Sequence, residues 1–107
     1  MRQFVRNVRI SGTGSYTPET VFTNEYIETL APTDANWILK NVGIRERRIA
    51  SPDQCTSDLA ANAGLRAIEN SGLSVGDIDL IIVATATPDR LAPSTAAIVQ
   101  DKIKAYN

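Results

Sequence analysis

The chain contains no histidine and a single cysteine, Cys55. Without an imidazole, no side chain has an ordinary pKa suited to general-base work near neutrality, and Cys55 cannot complete a metal-ligand pattern. One cysteine also cannot close an internal disulfide. An excess of either charge is missing too: 11 basic residues face 12 acidic ones, a net charge of −1. That balance provides no broad field for nucleic acid or an anionic membrane surface. The longest aliphatic run, Leu80-Ile81-Ile82-Val83-Ala84, falls far short of the roughly 20 residues that span a bilayer. Met1-Arg2-Gln3-Phe4-Val5-Arg6 has no long apolar stretch behind its charges, so no signal peptide is evident. A cytoplasmic protein without nucleic-acid or membrane partners is expected.

What remains is ordinary globular material. At 107 residues, 43% hydrophobic and 21% charged, the chain amounts to one domain or part of a larger one. Phe4 to Ile10 alternates loosely and runs into Ser11-Gly12-Thr13-Gly14-Ser15, which predicts a strand ending in a turn. Gly12 and Gly14 invite a phosphate-cradle reading, but Thr17 stands where a third glycine would fall, and a tight strand-end turn is the better reading. Thr23-Asn24 is placed to cap a short helix over Glu25 to Leu30. A second short helix is predicted from Pro32 to Gly43, with Thr33 or Asp34 as cap and Gly43 as a left-handed terminator. Ile44-Arg45-Glu46-Arg47-Arg48-Ile49 reads as a solvated strand or loop, or as a paired charge network.

Thr56-Ser57-Asp58 opens the clearest helix, with Leu59, Ala60, Ala63, Gly64, Ala67 and Ile68 at helical spacing and Ser71-Gly72 as its end. Leu80 to Thr85 predicts a strand buried on both faces of a parallel sheet. Pro93-Ser94-Thr95 opens a last helix with Ala96, Val99 and Ile103 on one stripe. Strand, helices, strand, helix, strand, helix is an α/β order with right-handed crossovers. The apolar face of the last helix needs a continuation or a partner to cover it; a compact three-stranded mini-domain is the alternative.

Several blocks, taken in order, resemble the start of the β-ketoacyl-ACP synthase III family. They are Gly12-Thr13-Gly14-Ser15-Tyr16-x-Pro18, Asn24, Trp37-Ile38, Gly43-Ile44-Arg45-Glu46-Arg47-Arg48-Ile49-Ala50, Thr56-Ser57-Asp58-Leu59-Ala60, Asp77 through Thr85, and Pro93-Ser94-Thr95-Ala96. The fold this resemblance implies is thiolase-like, two similar α/β halves, with this chain as the N-terminal portion of the first half. The implied chemistry is a ping-pong condensation: a cysteine thiolate takes an acyl group from acyl-CoA, and the acyl-enzyme then reacts with decarboxylating malonyl-ACP, assisted by His and Asn donors. By the same resemblance the nucleophile belongs shortly beyond Asn107, so no catalytic residue is assigned within these positions. Cys55 lies beside acids without a base, and is read as passive and partly buried.

What the resemblance carries over is carrier recognition. Trp37 matches a family tryptophan that stacks on the CoA adenine; on its residues alone it reads as a core side chain of an amphipathic helix. Thr33 matches a residue near the nucleotide, or is an N-cap. Asn41 stands where many members carry a phosphate-binding arginine, which weakens the expected hold on CoA, with Lys40 adjacent as partial compensation. In the loop Thr87 to Ala92, Leu91 and Ala92 occupy the acyl-pocket and dimer region; Ala92 replaces a phenylalanine frequent in bacterial members, which predicts a roomier acyl site. Acyl-CoA enters as substrate with no cofactor. Malonyl-ACP, the remainder of the same enzyme and a second copy in a homodimer are the expected partners. Alternatives are a secondary-metabolite condensing or acyl-transfer enzyme, and a non-catalytic CoA-binding or dimerisation fragment.

Overall fold

The computed structural model describes residues 7–106, which divide into two compact units, Thr17–Cys55 and the described parts of Met1–Tyr16 with Thr56–Asn107. The smaller unit is built by local signals. Strand β1 (Thr20–Thr23) runs directly into helix α1 (Asn24–Leu30), whose first turn is capped by the Thr23 hydroxyl accepting from the Tyr26 N–H at 3.3 Å. Helix α2 (Ala35–Val42) follows, and strand β2 (Glu46–Ile49) returns antiparallel to β1 with Phe22 opposite Arg47 and Thr20 opposite Ile49.

The charged run therefore forms a strand, and its charges are used otherwise than as a paired network. Arg48 reaches Glu46 only at 4.0 Å, while its Nη1 donates to the Pro18 and Glu19 carbonyls. Arg47 donates to the Phe22 and Thr23 carbonyls and to Asn24. These guanidinia act as forks that satisfy backbone oxygens near the crossing of the two strands.

The larger unit packs helix α3 (Thr56–Ser71) against helix α4 (Thr95–Ile103), with a 3₁₀ turn at Val75–Asp77 between them. Ala61, Val99, Ile103 and Ala105 are buried together, flanked by Ala60, Ile68, Val75, Ile81 and Val83. Burying a valine or isoleucine stabilises by about 1.5–3 kcal/mol each, so Val99 and Ile103 dominate this small core. Gly12 and Gly14 lie against α3. A Cβ on Gly12 would come within 2.5 Å of the Ala67 carbonyl oxygen, and one on Gly14 would collide with backbone atoms of Ala63 and Ala67. The glycines serve close packing on the helix, and the segment that carries them is neither a turn nor the end of a strand.

Two sequence expectations need correction. Of the strand expected over Phe4 to Ile10, residues 4–6 lie outside the described residues, and 7–10 belong to no regular element. Residues 80–85 form no ladder among the described residues either. A strand exists through its hydrogen-bonded neighbour, and the described residues of these segments, 7–10 and 80–85, have none. The aliphatic run still alternates: Ile81 and Val83 pack on the core, while Leu80 and Ile82 are 75% and 82% exposed. It is apolar on both faces but only half-buried on one.

Candidate functional site

Helix α2 presents the tryptophan. Asp34 caps it, its carboxylate accepting from the Trp37 N–H at 2.6 Å, and Gly43 closes it at φ 76°, its N–H shared between the Ile38 and Leu39 carbonyls. The Ala35 N–H is satisfied by the Glu28 carboxylate from α1. Both helix ends are thus fixed by side-chain and backbone chemistry rather than by burial. Trp37 stands in the first turn, 57% exposed, over an open concavity lined by Pro32, Thr33 and Asp34. A core tryptophan on an amphipathic face is not what the structure holds; the indole offers a flat, accessible π surface.

Thr33 does not cap the helix. Its N–H donates to the Ala31 carbonyl at 2.8 Å, and the capping role falls to Asp34. Asn41 turns back on its own helix, Nδ2 donating to the Trp37 carbonyl at 2.9 Å. Lys40 is exposed, but consecutive helical positions point about 100° apart, so its ammonium does not share Asn41's direction. Thr33, Trp37 and Asn41 therefore gather on one short helix and the turn before it. Cys55, expected to be partly buried, is exposed.

In the larger unit, the loop ahead of α4 carries Leu91, fully exposed, and Ala92, joined to Pro93 by a cis peptide bond. Ser94 caps α4 through the Ala97 N–H at 3.3 Å. Leu91 borders an open cavity of about 280 Å³ with Val83, Thr85, Pro88 and Arg90; Ala92 does not line it.

The loop is tied to the start of α3 by contacts that sequence reasoning did not find. The Thr56 hydroxyl donates to the Thr87 carbonyl at 2.6 Å, and the Ser57 N–H donates to Asp89 Oδ1 at 2.9 Å. Asp89 sits below the ordinary carboxylate range, chiefly through the nearby Ser57 hydroxyl, then through the Ser57 N–H and the positive charge of Lys102, against opposing desolvation and the Asp58 charge. That hydroxyl is enclosed by the protein and reaches hydrogen-bond geometry with no protein atom; its influence on Asp89 is one of proximity. Thr56-Ser57-Asp58 was legible as a helix start, but its partners lie 31 and 32 residues away, where no local pattern points. Among the described residues no cluster of Cys, Asp and Glu is arranged to hold a metal ion, and no helix is long and apolar enough to cross a membrane.

No family model matches the chain. It is 53% identical over 98 residues to the β-ketoacyl-[acyl-carrier-protein] synthase III of Caldanaerobacter subterraneus subsp. tengcongensis, an alignment covering 92% of this chain and 30% of that protein. The crystal structure of 3-oxoacyl-[acyl-carrier-protein] synthase III from Aquifex aeolicus matches with a TM-score of 0.88 at 41% identity, covering 92% of this chain and 32% of that one. The priming β-ketosynthase of the R1128 polyketide biosynthetic pathway matches with the same TM-score at 33% identity, over 92% and 30% of the two chains. This chain thus spans about 30% of the length of these relatives. The resemblance read from the sequence holds across nearly all of the chain, and the α/β, thiolase-like fold holds with it.

Proposed function

We propose that this chain, similar over nearly its whole length to β-ketoacyl-ACP synthase III, is the N-terminal part of an acyltransferase of that type. The enzyme condenses an acyl-CoA primer with malonyl-ACP, releasing CoA and CO₂ and yielding a 3-oxoacyl-ACP at the start of fatty acid synthesis. The observation that carries the reading is the exposed indole of Trp37 over the concavity of Pro32, Thr33 and Asp34, in a chain 53% identical to a synthase III.

In this reading the residues described here bind and orient. The Trp37 ring stacks on the adenine of CoA, an interaction worth about 1–3 kcal/mol. The Thr33 hydroxyl is available to the nucleotide because Asp34 has taken the cap. Asn41 brings no charge to the phosphates, so the hold on CoA rests on stacking more than on ion pairing. Leu91 and Ala92 belong to the acyl pocket and dimer loop. The bond-forming step falls to a Cys, His and Asn in the rest of the enzyme: the thiolate attacks the thioester carbonyl and CoA leaves, and the carbanion from malonyl decarboxylation then attacks the acyl-enzyme. Acyl-CoA is a substrate and no cofactor is required. The partners are acyl carrier protein, the remainder of the same enzyme and a second copy, in the cytoplasm.

A second reading, a condensing enzyme of secondary metabolism, is favoured by Asn41 and Ala92 together with the similarity to a polyketide priming ketosynthase. Intact-mass measurement of the full-length protein with acyl-CoAs from acetyl to octanoyl tests both. A covalent acyl mass discharged by malonyl-ACP supports a synthase, and acetyl alone being used points to the primary pathway. Trp37→Ala should raise KM for acyl-CoA about 5- to 150-fold with little change in kcat. Absence of any acyl adduct rejects the enzyme reading and leaves a CoA-binding or dimerisation module.

A further inference from the structure

The loop that bears Leu91 and Ala92 is held by two bonds that both end on the first turn of α3. Ser57 contributes its backbone N–H from a position with 0% exposure, and Thr56 its hydroxyl. Asp89 thereby serves as the acceptor for a helix-start N–H that has no partner within its own helix, a capping role supplied from 32 residues away. Its negative charge lies at the positive end of the α3 dipole, where a carboxylate is favoured. The anchor is itself fixed: α3 is tied to α4 by the Asp58–Lys102 ion pair, and Ser57 and Ala61 are buried on α3 as Thr95 and Val99 are on α4. Asp89 therefore connects a mobile type of element, an exposed loop, to the best-packed part of its unit.

We propose that Asp89 is a positioning residue for acyl-chain selection: by capping Ser57 it fixes the loop 87–92 and so sets where Leu91 and Ala92 stand toward the acyl group. This rests on the acyltransferase reading above. Arg90, exposed on the same loop, provides an independent reporter, because cleavage of the Arg90–Leu91 bond by trypsin should speed up when the loop leaves its tether.

The test uses the full-length protein as wild type, Asp89→Ala, Asp89→Asn and Thr56→Val. Asn keeps an acceptor oxygen for the Ser57 N–H; Ala does not. Asp89→Ala should be cut at Arg90 about fivefold faster, the size of effect one helix cap carries, and Asp89→Asn should stay within about twofold of wild type. The ratio of kcat/KM for octanoyl-CoA over acetyl-CoA should move by a similar factor in Asp89→Ala and be restored in Asp89→Asn. Faster cutting with an unchanged ratio makes Asp89 a structural cap and overturns the proposal, as does unchanged cutting. Should Asp89→Ala fail to fold, Thr56→Val, which removes the other tether, must show the same pair of shifts, and its failure to do so is equally fatal. A wild-type protein that accepts no acyl-CoA removes the selection role along with the functional reading, and the cleavage rates still report whether the tether exists.

Discussion

Arg47 and Asn24 close the smaller unit on itself: Nη2 of the arginine donates to Oδ1 of the asparagine at 2.7 Å, while Nδ2 of the asparagine donates to the Ile44 carbonyl at 2.8 Å. Asn24 is 4% exposed, so both halves of its amide are spent inside the protein. The same guanidinium reaches the Phe22 and Thr23 carbonyls at 3.3 and 3.2 Å, holding the end of β1 beside the residue that begins α1. An asparagine suits this place because its short primary amide carries N–H donors and an acceptor oxygen in one plane.

Replacing Arg47 by lysine keeps the charge and loses the fork. Since every acceptor is a neutral oxygen, the loss is one of hydrogen bonding and not of ion pairing. Stability should fall by about 1–3 kcal/mol, and the decrease should be the same at low and high salt. Denaturant unfolding of the full-length protein, with hydrogen exchange on the β1–β2 amides, measures it. A loss that disappears in high salt would show that a charge, not the fork, is at work.

Gly14 makes a second prediction from packing. Its missing Cβ leaves room for the backbone of α3, and a methyl placed there would lie 2.9 Å from the Ala67 Cα besides colliding with closer backbone atoms. Gly14→Ala should destabilise by about 1–3 kcal/mol or more, because helix backbone cannot move aside as a side-chain tip can. Gly76→Ala is the control: its methyl would meet the Ser74 hydroxyl at 3.7 Å, an ordinary contact, and should be neutral or slightly stabilising. Equal thermal midpoints for the two variants would remove the close approach as the reason for Gly14.

The pattern of what the sequence disclosed follows from how far each signal reaches. Helices α1 to α4 were legible because their determinants are local: Thr23, Asp34 and Ser94 bond to N–H groups three residues on, and Gly43 adopts the positive φ that its lack of a side chain permits. Of the strands, only β2 was anticipated, because the charged run from Ile44 to Ile49 reads as a solvated strand or loop. β1 follows Pro18 with no long alternation of its own, and it exists because residues 46–49 lie beside it, while the richer apolar run at 80–85 has no ladder neighbour among the described residues. The site divides the same way. Trp37 could be placed in its helix, but its exposure depends on what packs nearby, and the Asp89–Ser57 bond spans too much sequence for any motif to announce it.

Asp77 carries a prediction about pH. Its Oδ2 accepts from the Ser74 hydroxyl at 2.7 Å and the Ser74 N–H at 2.8 Å, and these two bonds, the hydroxyl's foremost, hold the carboxyl below its ordinary range. An unfolded aspartate titrates near about 3.9. Because the folded value is the lower one, the contribution to stability is complete above that pH and is lost as pH falls through the folded value. The carboxyl carbon shift of Asp77 should titrate below about 3.9, and Ser74→Ala should raise the midpoint toward it. A wild-type midpoint at or above the unfolded value would contradict the bonding seen here.

Asn41 tests how the helix meets an anionic ligand. In the structure its Nδ2 is turned to the Trp37 carbonyl, so the last turn of α2 offers Lys40 as its basic side chain, and that points along another direction. Asn41→Arg would place a planar, always charged donor one turn beyond the indole, within reach of the CoA phosphates on the proposed stacking of adenine against Trp37. A hydrogen bond to a charged group contributes about 1.5–3 kcal/mol when well formed, and an exposed position retains only part of that. The full-length variant should therefore bind acyl-CoA about three- to tenfold more tightly at low ionic strength, with the gain shrinking as salt is added. Dephospho-CoA and CoA should separate the sources of the gain, since losing one phosphate weakens only the arginine's share. If the arginine leaves affinity unchanged at every salt concentration while Trp37→Ala still weakens it, the ligand's phosphates lie away from the last turn of α2.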